Sequence, residues 1–457
     1  MTIPGVVKIN YAKFMALLSR LKSTQILALG FALLIFIGTF LLNLPMASAD
    51  GKSIGIIDAF FTATSAVCVT GLVVVDTGTH WSLFGQLVIL MLIQIGGLGF
   101  MTMATLVFLL LGKKITLKER LIIREALNQF SLAGLVKLTK YILIFTFIVE
   151  SIGAVLLAVE FLRYFPIIES IYYGVFHSVS AFNNAGFDLM GNYKSFTPFT
   201  EDLFINIIII ILIIVGGIGF TVLLDIYDKR CFKTLSLHSK FVIAITITLI
   251  VLGFFVILIL EYNNPYTLKN LNCTGKIMGA LFHSVTPRTA GFNTLPTGRL
   301  TTTTKFFTII YMYIGGSPGS TAGGIKTTTV GTLVAVVWAI ISGKKKAVIF
   351  KKSIPEDIVF RALAITMLGL IYVTTIIMLL TITEEEKFID IFFEAVSAFG
   401  TVGLSMGITP ELSNIGKLLI ILTMFSGRVG LLTIALAFGE KVKKAAIKFP
   451  EEKIHVG

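Results

Sequence analysis

Four short stretches of this chain are near-copies of one another, and that repetition restricts the fold more than any other feature. Phe61–Gly71, Phe176–Gly186, Phe282–Gly291 and Phe393–Gly403 share one pattern. Each carries Phe, then Ser or Thr four residues on (Ser65, Ser180, Thr286, Ser397), then Gly five or six residues later. The glycines lie 115, 105 and 112 residues apart, so the chain is about one unit written four times. In an apolar chain of membrane-protein character, a fourfold unit points to a pore on a pseudo-fourfold axis.

Apolar residues make up 55% of the chain and charged ones 14%, more apolar and far less charged than a soluble domain. Eight segments, roughly 25–46, 82–112, 141–165, 203–226, 240–261, 303–341, 358–381 and 415–438, read as membrane helices. Ala47-Ser48-Ala49 resembles a signal-peptide cleavage site, but the apolar run before it is too long and starts too late, so it reads as an anchor. Between paired helices lie short segments near 54–67, 168–181, 274–286 and 387–399. They cannot span, and each ends in the repeated motif, so they read as re-entrant pore helices.

The expected fold is therefore an all-α integral membrane protein of four tandem helix–pore-helix–helix repeats, with eight transmembrane helices around a pseudo-fourfold pore. Its divisions are a cytoplasmic N-terminus 1–24, repeat 1 at 25–112, a basic loop 113–140 and repeat 2 at 141–227. Then come repeat 3 at 228–341 with a broken second helix, a basic loop 342–357, repeat 4 at 358–438 and a tail 439–457. The net charge of +13 is a topology signal rather than a nucleic-acid footprint. The ends and the links between repeats hold 26 of the 38 lysines and arginines. By the positive-inside rule both termini and those links are cytoplasmic, beside anionic lipid of the plasma membrane. Cys68, Cys231 and Cys273 make no disulfide framework and read as free thiols.

Backbone that leaves the helix at membrane depth must be buried or must line a water-filled cavity. Four such turns at matching positions, Val69-Thr70-Gly71, Asn184-Ala185-Gly186, Thr289-Ala290-Gly291 and Thr401-Val402-Gly403, imply one shared cavity. A cation leaving water needs replacement oxygens, which backbone carbonyls supply, and Gly permits the unusual backbone that aims them inward. Helix C-termini facing the cavity favour a cation over an anion. Arg288, near the third turn, reads as a brace rather than a lining residue.

The second helices repeat as well. Gly96-Gly97-Leu98-Gly99-Phe100 and Gly216-Gly217-Ile218-Gly219-Phe220 are followed by Gly315-Gly316-Ser317-Pro318-Gly319 and Ser426-Gly427-Arg428-Val429-Gly430. Close helix packing accounts for the first two copies. The third continues as Ser320-Thr321-Ala322-Gly323-Gly324-Ile325-Lys326, a polar break in an apolar span. It mimics a phosphate-binding loop, but Ile325 displaces the Lys and no strand precedes it. The break reads better as a gate. Arg428 is the partner observation, since an Arg inside a membrane helix faces a cavity or a counter-charge. It is expected to add a positive field in the pore and to hold the loop by its carbonyls.

These turns, and above all the run Gly315–Lys326, resemble the Trk/Ktr/HKT superfamily of potassium transport proteins. The resemblance covers residues 25–438; the extra N-terminal helix pair of bacterial Trk subunits is absent, so the layout is that of the Ktr pore subunits. It implies a four-part selectivity filter with Gly71, Gly186, Gly291 and Gly403 binding K⁺ through their carbonyls. It implies an intramembrane loop that closes the pore, anchored by Lys326. Gly rather than Ser at position 71 goes with potassium, leaving Na⁺ as a coupling or stimulating ion. A homodimer and a separate KtrA-type nucleotide-binding cytoplasmic ring, docked on the basic loops 112–140, 228–240 and 342–361, are also implied. No covalent cofactor and no nucleic acid enter this reading.

Glu150 needs a partner inside its helix, and structural pairing outweighs a conduction role. His177 and His283, at equivalent positions, read as packing and helix-end hydrogen bonding rather than metal binding. An alternating-access carrier is the competing class, but carriers usually pair inverted halves, and here all four units share one orientation. A membrane enzyme lacks any catalytic constellation.

Overall fold

The computed structural model describes residues 21–99, 102, 120–123 and 135–438. The N-terminus to residue 20, most of the basic loop 113–140 and the tail 439–457 lie outside the described residues. Among the described residues four helices are long and apolar enough to cross a membrane: α1 (Ser23–Leu42), α4 (Leu135–Phe161), α8 (Leu237–Glu261) and α12 (Glu356–Thr383). Each opens one repeat. Their outward faces are large and apolar, as at Phe36, Phe147, Phe255 and Ile371, all about half or more exposed. The hydroxyls of Ser65, Ser180, Thr286 and Ser397, by contrast, are fully buried. An apolar exterior around a polar interior is the arrangement lipid requires.

After each long helix comes a short one: α2 (Ile56–Val67), α5 (Ile167–Phe182), α9 (Cys273–Val285) and α13 (Phe388–Gly400). The motif phenylalanines Phe61, Phe176, Phe282 and Phe393 are buried and anchor them. The third element of each unit starts on a side-chain cap. Ser82 caps α3 (Leu83–Leu98), Asp202 caps α6 (Leu203–Ile218), Thr301 caps α10 (Thr302–Tyr313) and Ser413 caps α14 (Asn414–Val429). Each cap oxygen accepts a backbone N–H of the first turn, which satisfies a donor that the helix cannot.

Among the described residues the first helix of each repeat is thus continuous, whereas the second ends or breaks. α3 ends at Gly99. α6 turns by 96° at Gly219 into α7 (Phe220–Lys229), and the two together are long enough for one bent span. α10 and α11 (Thr327–Ile341) flank the loop 314–326, and α14 is parted from α15 (Leu431–Phe438) by Gly430. Packing alone therefore does not describe the second copy of the glycine run. Gly219 has φ +101°, outside the helical region, and a Cβ there would come 2.7 Å from the Pro318 carbonyl. Only a glycine makes that corner. One feature the sequence did not signal is a two-strand hairpin, Val348–Ile349 with Lys352–Ser353, inside the basic loop 342–357.

Candidate functional site

The four turns meet. A Cβ built on Gly71 would lie 2.5 Å from the Ala185 carbonyl oxygen, and one on Gly186 would lie 2.8 Å from that of Ala290. One on Gly291 would lie 2.7 Å from the Val402 carbonyl, and one on Gly403 would strike the Thr70 carbonyl. Each glycine therefore faces the backbone of the next repeat, and the fourth returns to the first. The ring closes in the order 1–2–3–4. Above it opens a cavity of about 660 Å³ with all four glycines in its lining, together with acids such as Asp76, Asp188 and Glu411.

Two backbone positions in each turn are left-handed. The glycines have φ between +71° and +91°, and the residues two before them, Val69, Asn184, Thr289 and Thr401, have φ +57°, +58°, +69° and +50°. For Val and Thr this conformation costs about 1–3 kcal/mol each and persists only where surroundings over-determine it. The Ser or Thr of the motif supplies that constraint. Its carbonyl accepts the N–H of the residue before the glycine in all four turns, at 2.8–2.9 Å. Its hydroxyl accepts from the Gly71 and Gly403 N–H groups (Ser65 at 3.1 Å, Ser397 at 3.2 Å). In the other two turns Ser180 and Thr286 donate to the carbonyls of Phe187 and Phe292, at 2.7 and 2.5 Å. The third turn is one residue shorter, and its closing bond skips one residue fewer.

Beneath the ring the loop 314–326 is suspended from its neighbours. Gly315 N–H donates to the Ile325 carbonyl at 2.9 Å, and Thr327 N–H to that of Gly316 at 3.1 Å, which pinches the loop at its base. Ser317 N–H donates to the Gly217 carbonyl at 3.0 Å, Thr321 N–H to that of Gly216 at 3.3 Å, and Phe220 N–H to that of Gly319 at 2.9 Å. Ser320 Oγ donates to the Ser317 carbonyl at 2.6 Å. Lys326 Nζ turns back onto the carbonyls of Ala322 (2.7 Å) and Gly323 (3.3 Å), and Gly324 is left-handed at φ +65°.

Arg428 ties three repeats together. Its guanidinium donates to the Thr321 carbonyl of the loop and to the carbonyls of Gly96 and Gly97, the last at 2.9 Å. Lys326 and Arg428 both line a second cavity, of about 220 Å³, which also contains Gly97, Gly99 and Gly319. Among the described residues neither has a carboxylate partner, and each spends its donors on backbone carbonyls.

This geometry has relatives. A family model described as TrkH, cation transport protein, matches residues 19–448. The chain belongs to the TrkH family. It is 46% identical to the Ktr system potassium uptake protein B of Bacillus subtilis, over 96% of this chain and 97% of that protein. It is 43% identical to the potassium/sodium uptake protein NtpJ of Enterococcus hirae, over 96% of this chain and 98% of the relative. The crystal structure of TrkH from Vibrio parahaemolyticus superposes with a TM-score of 0.69 over 90% of this chain and 84% of that one, at 19% identity, so the two share a fold.

Several residues of this TrkH-family chain carry more than their sequence signalled. Glu150 does find partners: its carboxylate accepts from Gln94 Nε2 at 3.1 Å and from Asn183 Nδ2 at 2.8 Å, just before the second turn. His177 accepts the Leu189 N–H at 3.1 Å through Nε2, and its Nδ1 lies 2.7 Å from the Tyr173 carbonyl, so it braces the segment leaving that turn. His283 lies 3.2 Å from Thr308 Oγ1. Arg288 is buried, 3.4 Å from Thr246 Oγ1, and lines neither cavity. Glu394, at the position equivalent to the two histidines, accepts from Thr409 Oγ1. Repetition marked the Ser and Thr latches in the sequence; nothing local marked the strained residues two before each glycine.

Proposed function

We propose that the protein conducts potassium into a bacterial cell through a pore on the axis of the four turns. The observation that carries this reading is the closed ring of four glycines, at the boundary between an outer cavity and the loop beneath. Residues 69–71, 184–186, 289–291 and 401–403 form the selectivity filter, with K⁺ held by backbone carbonyls. The two left-handed positions in each turn permit the unusual backbone a filter needs, in which carbonyls present oxygens to a dehydrated ion without burying a charge. The loop 315–326 with Arg428 is the gate: the Thr321 carbonyl held by Arg428 keeps the loop under the ring.

In this reading the four interrupted helices complete eight spans around the pore, and both termini face the cytoplasm. The Bacillus relative bears the name of a potassium uptake protein within a Ktr system, which supports K⁺ as cargo and a partner subunit. A KtrA-type nucleotide-binding ring on the basic loops and a homodimer complete this reading, as the family resemblance implies. The Enterococcus relative is named for potassium and sodium, and Na⁺ enters here as a stimulating or co-permeating ion.

The test is growth of a bacterium lacking its potassium uptake systems, at low K⁺, with and without Na⁺ and a Ktr regulatory subunit. Expression of this chain restores growth in at least one condition. No growth in any of them, with the protein detected in the membrane, overturns the reading.

A further inference from the structure

The side chain of Asn184 does something its backbone role does not require. Its Oδ1 lies 3.3 Å from Thr321 Oγ1 of the loop, and its Nδ2 lies 3.5 Å from Thr289 Oγ1 of the third turn. Two glycines make room for it there, since a Cβ on Gly216 would come 2.8 Å from Oδ1 and one on Gly217 would come 3.3 Å from Nδ2. The Thr321 hydroxyl has one proton and two acceptors, Asn184 Oδ1 and the Phe182 carbonyl, both at 3.3 Å. Two residues further along, a Cβ on Gly323 would strike Thr401 Oγ1, a buried hydroxyl of the fourth turn with no hydrogen-bond partner among the described residues. The segment Thr321–Gly323 therefore reaches the second and fourth turns, which lie opposite each other in the ring.

We propose that the Asn184 carboxamide is a specificity-determining positioning group, which makes the ion preference of the ring depend on where the loop sits. The inference rests on the ring being the filter and the loop being the gate. With the loop in place, Thr321 donates to Asn184, and Asn184 donates to Thr289, so one chain of hydrogen bonds spans the loop and two adjacent turns. When the loop leaves, Oδ1 loses its donor in a buried site. The carboxamide then turns to recover one and releases Thr289. Two of the three members of that hydrogen-bond chain, Asn184 and Thr289, sit at left-handed backbone positions, which depend most on their surroundings. Coupling is reciprocal: an ion that fits the ring better with Asn184 held also favours the loop in place. The first turn carries Val69 at this position, so no such link runs through it.

The experiment is tracer flux into liposomes containing the full-length protein, read as total flux and as the K⁺/Na⁺ ratio. Thr321→Val removes the hydroxyl at constant shape; Thr321→Ala, with less bulk, is the second variant. Asn184→Gly removes the carboxamide while keeping a residue at ease in the left-handed region. Each lowers the K⁺/Na⁺ ratio about fivefold, the size expected for one lost hydrogen bond. The double variant goes no lower than the more affected single, and Thr321→Ser restores the wild-type ratio. A change in total flux with the ratio intact, a double variant equal to the product of the singles, or no rescue by Ser overturns the coupling and leaves the transport reading standing. Wild-type liposomes no leakier than empty ones overturn both.

Discussion

At the scale of the residue, the turns are built from a conflict between side chain and backbone that only local hydrogen bonds resolve. Val69, Thr289 and Thr401 are β-branched, the residue types least suited to positive φ, yet they occupy it beside glycines that tolerate it freely. The glycines are fixed for a different reason, since the next repeat's carbonyl stands where a side chain would begin. Gly291 is crowded from two sides. A Cβ there would meet the Val402 carbonyl at 2.7 Å and the Gly186 Cα at 2.9 Å, at φ +80°. Gly291→Ser must therefore push the third turn away from the second and fourth. We expect the Rb⁺/Na⁺ uptake ratio to fall roughly tenfold, equivalent to about 1.4 kcal/mol of lost discrimination. An unaltered ratio in a well-expressed variant removes Gly291 from the filter. The sequence made this glycine legible because it recurs four times; the strain two residues earlier was illegible, because Val, Asn and Thr share no property that announces a left-handed turn.

At the scale of the element, the four second helices start alike and finish differently. Ser82, Asp202, Thr301 and Ser413 cap equivalent outer ends, and Gly96, Gly216 and Gly427 each press against the last carbonyls of their own short helix, at Val67, Phe182 and Phe399. Below that contact the paths diverge into a sharp bend, a loop and a glycine break. Composition exposed the loop, where Ser, Thr and Pro interrupt an apolar run. It hid the 96° bend, because a single φ distinguishes Gly219 from a packing glycine. Arg428 is where the differing ends are joined. It reaches carbonyls of repeats 1 and 3 from repeat 4, and charged donors make hydrogen bonds of about 1.5–3 kcal/mol when partly buried. Arg428→Gln keeps a donor but is shorter and uncharged, so it cannot hold Gly96, Gly97 and Thr321 together. Tracer flux per folded protein should rise, on the order of tenfold to a hundredfold if one such bond is lost. Equal or lower flux in a folded variant means that Arg428 does not restrain the loop.

At the scale of the whole molecule, the ring must close between repeats far apart in the chain, and the outer surface shows how. Tyr172 Oη donates to Gln86 Oε1 at 2.8 Å, and Asn272 N–H to Glu201 Oε1 at 2.9 Å. Lys305 lies 3.8 Å from Asp390, and Lys417 lies 2.7 Å from Asp58. Each contact joins the start of one repeat's second helix, or the residue before it, to the next repeat's short helix or its cap. Asp58 and Asp390 lie in the first turns of α2 and α13, where an acid complements the helix dipole. The repeat predicted four seams, but not these pairs, whose chemistry differs from seam to seam. The Lys417–Asp58 seam is the one that closes the circle, across 359 residues of chain, and beneath it Gly403 meets the Thr70 carbonyl most tightly. Lys417 and Asp58 are mostly buried, so a reversed charge here sets two carboxylates against each other, away from water, at the point of closure. Lys417→Glu should therefore lower the melting temperature in detergent and the K⁺/Na⁺ flux ratio together, because the seam holds the first and fourth turns in register. Adding Asp58→Lys restores attraction with the charges exchanged, and both readings should return toward wild type. If melting recovers while the flux ratio does not, the seam stabilises the fold without setting the ring. If neither recovers, Lys417 acts through some partner other than Asp58.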